Sequence, residues 1–197
     1  HIEFDVDNGG QSYHDQLVKL QKVIDGKDIE KAIDWQAGQL KAIVFDRHLY
    51  YPLFDAQDKK LPLKMTPLSF DAPREINFVK DLQAFYASAQ GKKRLEGYSL
   101  YLLRNADNKA KGLGFATAGN FYPDFLLWLV DEKTGQQHLS LIDPKGIRQM
   151  DLTDPKLQLY KEIKSIEQQL NDVKLNLSAF VLSCTGFNSL LNNTQSQ

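Results

Sequence analysis

The chain has 197 residues, 42% of them hydrophobic, and a net charge of −1 from 24 basic and 25 acidic side chains. That is the composition of an ordinary globular protein, long enough to bury roughly 70% of its unfolded surface as one domain or as a domain with a long extension. The single cysteine, Cys184, excludes an internal disulfide framework and a cysteine-rich zinc site, and fits a reducing, cytoplasmic setting. No apolar run approaches the ~20 residues a bilayer requires, so no membrane role is expected. His1–Gly10 is too acidic for a signal peptide, and the start at His1 suggests a piece of something longer.

Near-zero charge offers no bulk attraction to nucleic acid, but its distribution is uneven. Residues 1–60 hold 8 basic and 11 acidic residues, a net of −3; residues 91–164 hold 12 and 9, a net of +3. The second stretch permits a phosphate-facing patch around Lys92, Lys93, Arg94, Arg104, Lys109 and Lys111, beside the plainer reading of a solvated face.

In chain order, residues 12–25 read as a helix with Leu17, Leu20 and Val23 on one side. Residues 39–54 look extended, Asp55–Lys60 reads as a polar turn, and Leu61–Ser69 as a proline-punctuated connection. Asp71 can cap a helix whose first turn takes Pro73 and whose stripe is Val79, Leu82 and Tyr86. Strands are expected at Tyr98–Leu103, Gly114–Ala118, Phe125–Val130 and His138–Ile142. A helix opens at Asp154-Pro155 with the stripe Leu159, Ile163, Ile166 and Leu170, and Ala179–Ser183 is a last strand. Phe125–Val130 is apolar without alternation, which argues burial on both faces and a sheet flanked by helices. The division expected is an α+β extension over 1–66 and an α/β core over 67–197.

If Glu132–Gly135 is a four-residue hairpin loop, Asp131 faces Gln136 and every cross-strand pair sums to 267. Asp124 and Asp143 satisfy that sum, which sets two carboxylates opposite one another with Cβ atoms roughly 5 Å apart. Lys145, two residues beyond Asp143, shares their side if the strand continues. A divalent cation such as Mg²⁺ turns this repulsion into a binding site, because it takes carboxylate and carbonyl oxygens. The alternative makes both acids turn residues beside Pro123 and Pro144. Glu75 lies on the stripe of Val79, Leu82 and Tyr86, where an acid needs an answering group. It either meets the dipole of its helix or serves as a third ligand or base.

Pro123-Asp124 and Asp143-Pro144-Lys145, nineteen residues apart from Asp to Asp, are similar to the PD-(D/E)XK nuclease signature. Tyr101–Asn105, Gly112–Phe115, Phe121–Phe125 and Ile142–Gly146 resemble, in that order, blocks of the C-terminal endonuclease domain of type III restriction enzymes and related helicase-fused proteins. Glu75–Val79 with Asp81-Leu82 looks like that family's first-helix segment, and the likeness runs from Leu61 to about Leu170. Before Leu61 only Tyr51-Pro52-Leu53 matches clearly. The resemblance implies a restriction-endonuclease-like core: helix, three to four strands, helix, strand, with a mixed sheet flanked by helices. It implies Mg²⁺ or Mn²⁺ held by Asp124, Asp143 and Glu75, with the Pro144 carbonyl as an additional ligand and Lys145 catalytic. It also implies double-stranded DNA as substrate, a helicase or translocase module in the same parent chain, and a methyltransferase or specificity subunit as a further partner. The rival expectation is a nuclease-like fold that only binds nucleic acid or assembles a complex.

Arg104 and Asn105 close a strand near these acids and are candidates for DNA contact, or equally for a strand-end salt bridge. Gly112, Gly114 and Gly119 read as turn residues, since no phosphate-binding fingerprint or following helix accompanies them. His14, His48 and His138 lack metal spacing and read as surface or packing residues, and Lys156, Gln158, Lys161 and Lys164 as a solvated helix face.

Overall fold

The protein is described by a computed structural model over residues 2–26, 35–44, 53–56, 60–65, 73–105, 122–145 and 155–183. It forms two compact units, His1–Phe85 and Tyr86–Gln197. The boundary falls inside a helix, whereas the sequence reading draws it at 66/67, in a stretch outside the described residues. No helix among the described residues is long and apolar enough to cross a membrane.

In the first unit, α1 (Gly10–Asp25) begins two residues earlier than its apolar spacing suggests. The reason is local: the Gly10 N–H donates to the Asp5 carbonyl at 2.7 Å, and a Cβ at Gly10 would meet that oxygen at 2.5 Å. Only glycine lets the two backbones approach so closely. Strands β1 (Ile2–Phe4), β2 (Gln36–Ala37), β3 (Leu40–Ile43), β4 (Leu53–Ala56) and β5 (Leu63–Met65) make two small antiparallel sheets, β1-β5 and β2-β3-β4. Leu20, Leu40, Ala42, Val44, Phe54 and Met65 form the core beneath them.

Two expectations are corrected here. Asp55 and Ala56 lie in β4 and do not open a turn, and the connection after Leu61 contains β5. Asp55 resembles a turn residue by type, yet it is buried and its carboxylate meets Lys80 Nζ at 2.7 Å. Lys80 belongs to α2 (Pro73–Ala87), which the proline at its first position and the expected stripe both anticipate. Leu49–Tyr51, the cap Asp71, the strand expected at Gly114–Ala118, the glycines 112, 114 and 119, His48 and Cys184 lie outside the described residues.

The second unit opens with the short helix α3 (Ala89–Arg94), which the sequence reading does not anticipate. It is capped by Ser88 Oγ, which accepts from the Gly91 N–H at 2.9 Å. A four-stranded mixed sheet follows: β6 (Tyr98–Arg104), β7 (Phe125–Asp131), β8 (Gln137–Lys145) and β9 (Leu175–Ser183), in that spatial order. The first two pairings are antiparallel and the third is parallel. Helix α4 (Pro155–Leu170) makes the crossover that a parallel pair requires.

Leu126, Leu141, Ile163 and Leu177 form the buried centre between this sheet and α4, flanked by Leu103, Trp128, Leu139, Ile166 and Ala179. In β7 only Phe125 and Leu126 are fully buried and the remaining residues are half-buried, so burial of the strand on both faces holds at its start alone. The Glu167 carboxylate of α4 accepts the Leu177 backbone N–H of β9 and an ion pair from Lys164 at 2.8 Å. Lys164 is therefore committed to its own helix face.

The β7–β8 hairpin has the expected register, with Phe125 opposite Ile142 and Val130 opposite Gln137. Its loop is fixed by Asp131, whose N–H donates to the Gln136 carbonyl at 2.9 Å. The Asp131 carboxylate accepts the N–H groups of Thr134 and Lys133 at 2.9 and 2.8 Å, which hold its pKa below the ordinary 3.8. A carboxyl whose pKa is depressed on folding stabilises the fold above its unfolded value and loses that contribution as pH falls through the folded value. Asp131→Ala should accordingly lower the melting temperature at pH 6–8, with the gap to wild type closing as pH falls below about 3.8. A gap independent of pH would show that the carboxylate does not hold this loop.

Candidate functional site

Strand alternation sorts the four-stranded sheet into rows. Leu103, Leu126, Leu141 and Ala179 are cross-strand partners in succession, and this row lies against α4. The next row on the same face, two residues further along each strand, is Asn105, Asp124, Asp143 and Val181. Asp143 pairs with Val181 directly, and the Asn105 N–H donates to the Asp124 carbonyl at 2.8 Å. Carrying the β7–β8 register one residue beyond Phe125–Ile142 sets Asp124 abreast of Asp143.

The type of pair matters. Counting alternately from the Asp131–Gln136 bond, position 124/143 is a non-hydrogen-bonded one, where facing side chains come closest. The ladder ends at Phe125–Ile142, and neither Pro123 nor Pro144 has an N–H with which to extend it.

Asp143 is 0% exposed, with both carboxylate oxygens shielded from solvent, while Asp124 is half-buried. Removing a carboxylate from water costs on the order of several kcal/mol, and a strand with only a packing role is served as well by an apolar residue. The turn reading of Asp143 does not hold, because β8 runs on through Pro144 and Lys145, which pair with Leu182 and Ser183. Two carboxylates at the ends of neighbouring strands, with the Pro144 carbonyl next to one of them in sequence, are oxygen ligands of the kind Mg²⁺ and Mn²⁺ take. The donor set fits such an ion.

Glu75 lies in the first unit, 7% exposed, one turn before the fully buried Val79 on the expected stripe of α2. Among the described residues, no group of three or more His, Cys, Asp or Glu side chains is gathered at metal-binding spacing. Arg104 pairs with Phe125, so alternation places it on the opposite face from Asn105 and the two aspartates. Asn105 is buried, and its Nδ2 donates to the Pro123 carbonyl at 2.9 Å. Lys92, Lys93 and Arg94 are exposed in the last turn of α3, where cations also answer the helix dipole. His14 packs edge-on against Phe4 and His138 lies 6.4 Å from the Tyr98 ring, both without metal company.

Comparison with protein-family models, curated proteins and solved structures yields no match to this chain. The reading of the site accordingly stands on its residues and their register.

Sequence reasoning names Pro123, Pro144 and Asn105 but not the bonds from Asn105 to the Pro123 and Asp124 carbonyls. No hairpin arithmetic gives them, because the chain between β6 and β7 is too long to fix a register.

The extrapolated register sets two like charges side by side in the metal-free protein. Asp124→Asn keeps the shape and removes one charge, so in EDTA at pH 7 it should melt at the wild-type temperature or above it. A clear drop would mean that the Asp124 carboxylate is a net structural support.

Proposed function

We propose that this chain is a metal-dependent DNA endonuclease domain with a restriction-endonuclease-like core. The observation that carries the reading is the β7–β8 register, which when carried one residue past Phe125–Ile142 brings Asp124 level with the buried Asp143, with Lys145 two residues further along β8. The order of elements supports it: helix α2, strands β6 to β8, helix α4, then β9 parallel to β8.

Asp124, Asp143 and the Pro144 carbonyl would hold Mg²⁺ or Mn²⁺. A bound ion of this kind polarises a phosphoryl oxygen and lowers the pKa of a coordinated water. The burial of Asp143 fixes one carboxylate in an orientation that needs no rearrangement when substrate arrives. Asp124 is half-buried, so part of it is accessible to solvent. The Lys145 ammonium orients the attacking water or offsets charge that grows on the phosphoryl oxygens. Such a group acts on the transition state more than on stability. Lys92, Lys93 and Arg94 are the exposed cations available to the DNA backbone. The substrate is duplex DNA, and the partners are a helicase or translocase module of the parent chain and a methyltransferase or specificity subunit.

The test has an enzymatic arm and a binding arm. Supercoiled plasmid should be nicked with Mg²⁺ or Mn²⁺ and left intact in EDTA, and Lys145→Ala should lose roughly 100-fold or more in rate while melting like wild type. Cleavage that persists in EDTA, or a fully active Lys145→Ala, overturns the reading. The binding arm needs no motor module: Mn²⁺ should raise the wild-type melting temperature by mass action and that of Asp124→Asn much less. Equal responses remove Asp124 from the site. DNA binding with no metal response in either arm would favour a nuclease-like fold used for binding or assembly.

A further inference from the structure

We propose that Asn105 is the positioning residue of this site, a bracket that holds the Asp124 backbone, and with it the carboxylate, just beyond the end of the β7–β8 ladder. The proposal rests on the nuclease reading above.

Along β7 and β8 each pair is held across the strands as far as Phe125–Ile142. Asp124 stands one residue beyond that ladder, and neither Pro123 nor Pro144 has an N–H with which to extend it. In an uninterrupted hairpin the carboxylate of the last residue would swing with a fraying strand end. Here the constraint comes from the other neighbour. Asn105, the residue after β6, donates its backbone N–H to the Asp124 carbonyl at 2.8 Å and its Nδ2 to the Pro123 carbonyl at 2.9 Å. One residue thus grips two successive carbonyls, and the peptide plane between them sets the direction of the Asp124 Cα–Cβ bond.

Burial makes the grip firm. Asn105 is 9% exposed and Pro123 is among the fully buried side chains, so water cannot readily replace the amide. Losing a donor at such a carbonyl leaves a desolvated acceptor. Asn105 also lies in the row of Asp124 and Asp143, so its own strand pairing aligns the bracket with the site. A direct contact with DNA bases is a poor use of an amide enclosed in this way. Groups that orient metal ligands typically change metal affinity by 10–100-fold when removed, and Asn105 stands in that relation to Asp124.

The experiment is Mn²⁺ binding by the metal-free full chain, read as the loss of the free-ion electron paramagnetic resonance signal. Asn105→Leu keeps the volume and the backbone N–H and removes Nδ2; Asn105→Ala removes the bulk as well. Both should weaken Mn²⁺ binding by about 10–100-fold, with melting in EDTA still cooperative. A lower melting temperature with an unchanged Mn²⁺ affinity would make Asn105 merely structural and overturn the proposal. Wild-type protein that binds no Mn²⁺ would sink the nuclease reading itself, and this inference with it. Should neither variant fold, the wild type still decides the matter. Coupling is reciprocal, so Mg²⁺ should slow solvent exchange of the Asn105 side-chain amide protons. Exchange indifferent to Mg²⁺ overturns the bracket.

Discussion

The register of one hairpin governs the arrangement of the second unit. Asp131 closes the loop with its own N–H and carboxylate, and every residue of β7 then meets a fixed partner on β8. On the face toward α4 this stacks Leu126 and Trp128 on Leu141 and Leu139, which is apolar area that only a helix can cover. The same alternation carries Asp124 and Asp143 to the end of that face. A slip of one residue would send the apolar row to the other side and separate the acids from it. Packing and site are therefore specified together, and the apolar row secures the polar one.

Burial of Asp143 depends on the parallel neighbour as much as on the hairpin. β9 runs beside β8 to Ser183, with Val181 against Asp143. It is held there by Leu177, Ile163 and Ile166 and by the Glu167 carboxylate, which takes the Leu177 N–H. Lys164 beside Glu167, followed by that backbone bond, keeps the carboxyl below its usual pKa of 4.5, so this tie holds at neutral pH and weakens in acid. An edge strand anchored by a helix carboxylate also blunts an otherwise open ladder. The burial that distinguishes Asp143 from an ordinary surface acid is in this sense a product of α4.

Legibility differs between the units for physical reasons. In the second, β6, β7 and the helix of sixteen residues carry enough periodicity to be read directly, and the four-residue loop converts spacing into register. β8 runs on to Lys145 and β9 starts at Leu175, beyond the expected His138–Ile142 and Ala179–Ser183. In the first, β1 and β5 have three residues each, too few for alternation to be visible, and pair across some sixty residues of chain. Asp55 misleads by residue type, because its turn chemistry is overridden by Lys80. At the site, the sum of 267 gives the β7–β8 register that is observed as far as Phe125–Ile142, one residue short of the aspartates. The bond from Asn105 is not legible, since it joins β6 to β7 through tertiary structure alone. Glu75 is legible as a buried acid on an apolar stripe, although its chemical role belongs to the proposal and not to the stripe.

The central claim is that Asp124 and Asp143 share one divalent cation. A crystal of the chain soaked in Mn²⁺, with anomalous differences collected at the manganese edge, locates the ion without reference to substrate or activity. The account expects one strong peak bonded to a carboxylate oxygen of each aspartate and to the Pro144 carbonyl, at about 2.0–2.2 Å. A well-ordered crystal with no peak between the two acids, or with manganese only elsewhere on the surface, would contradict it.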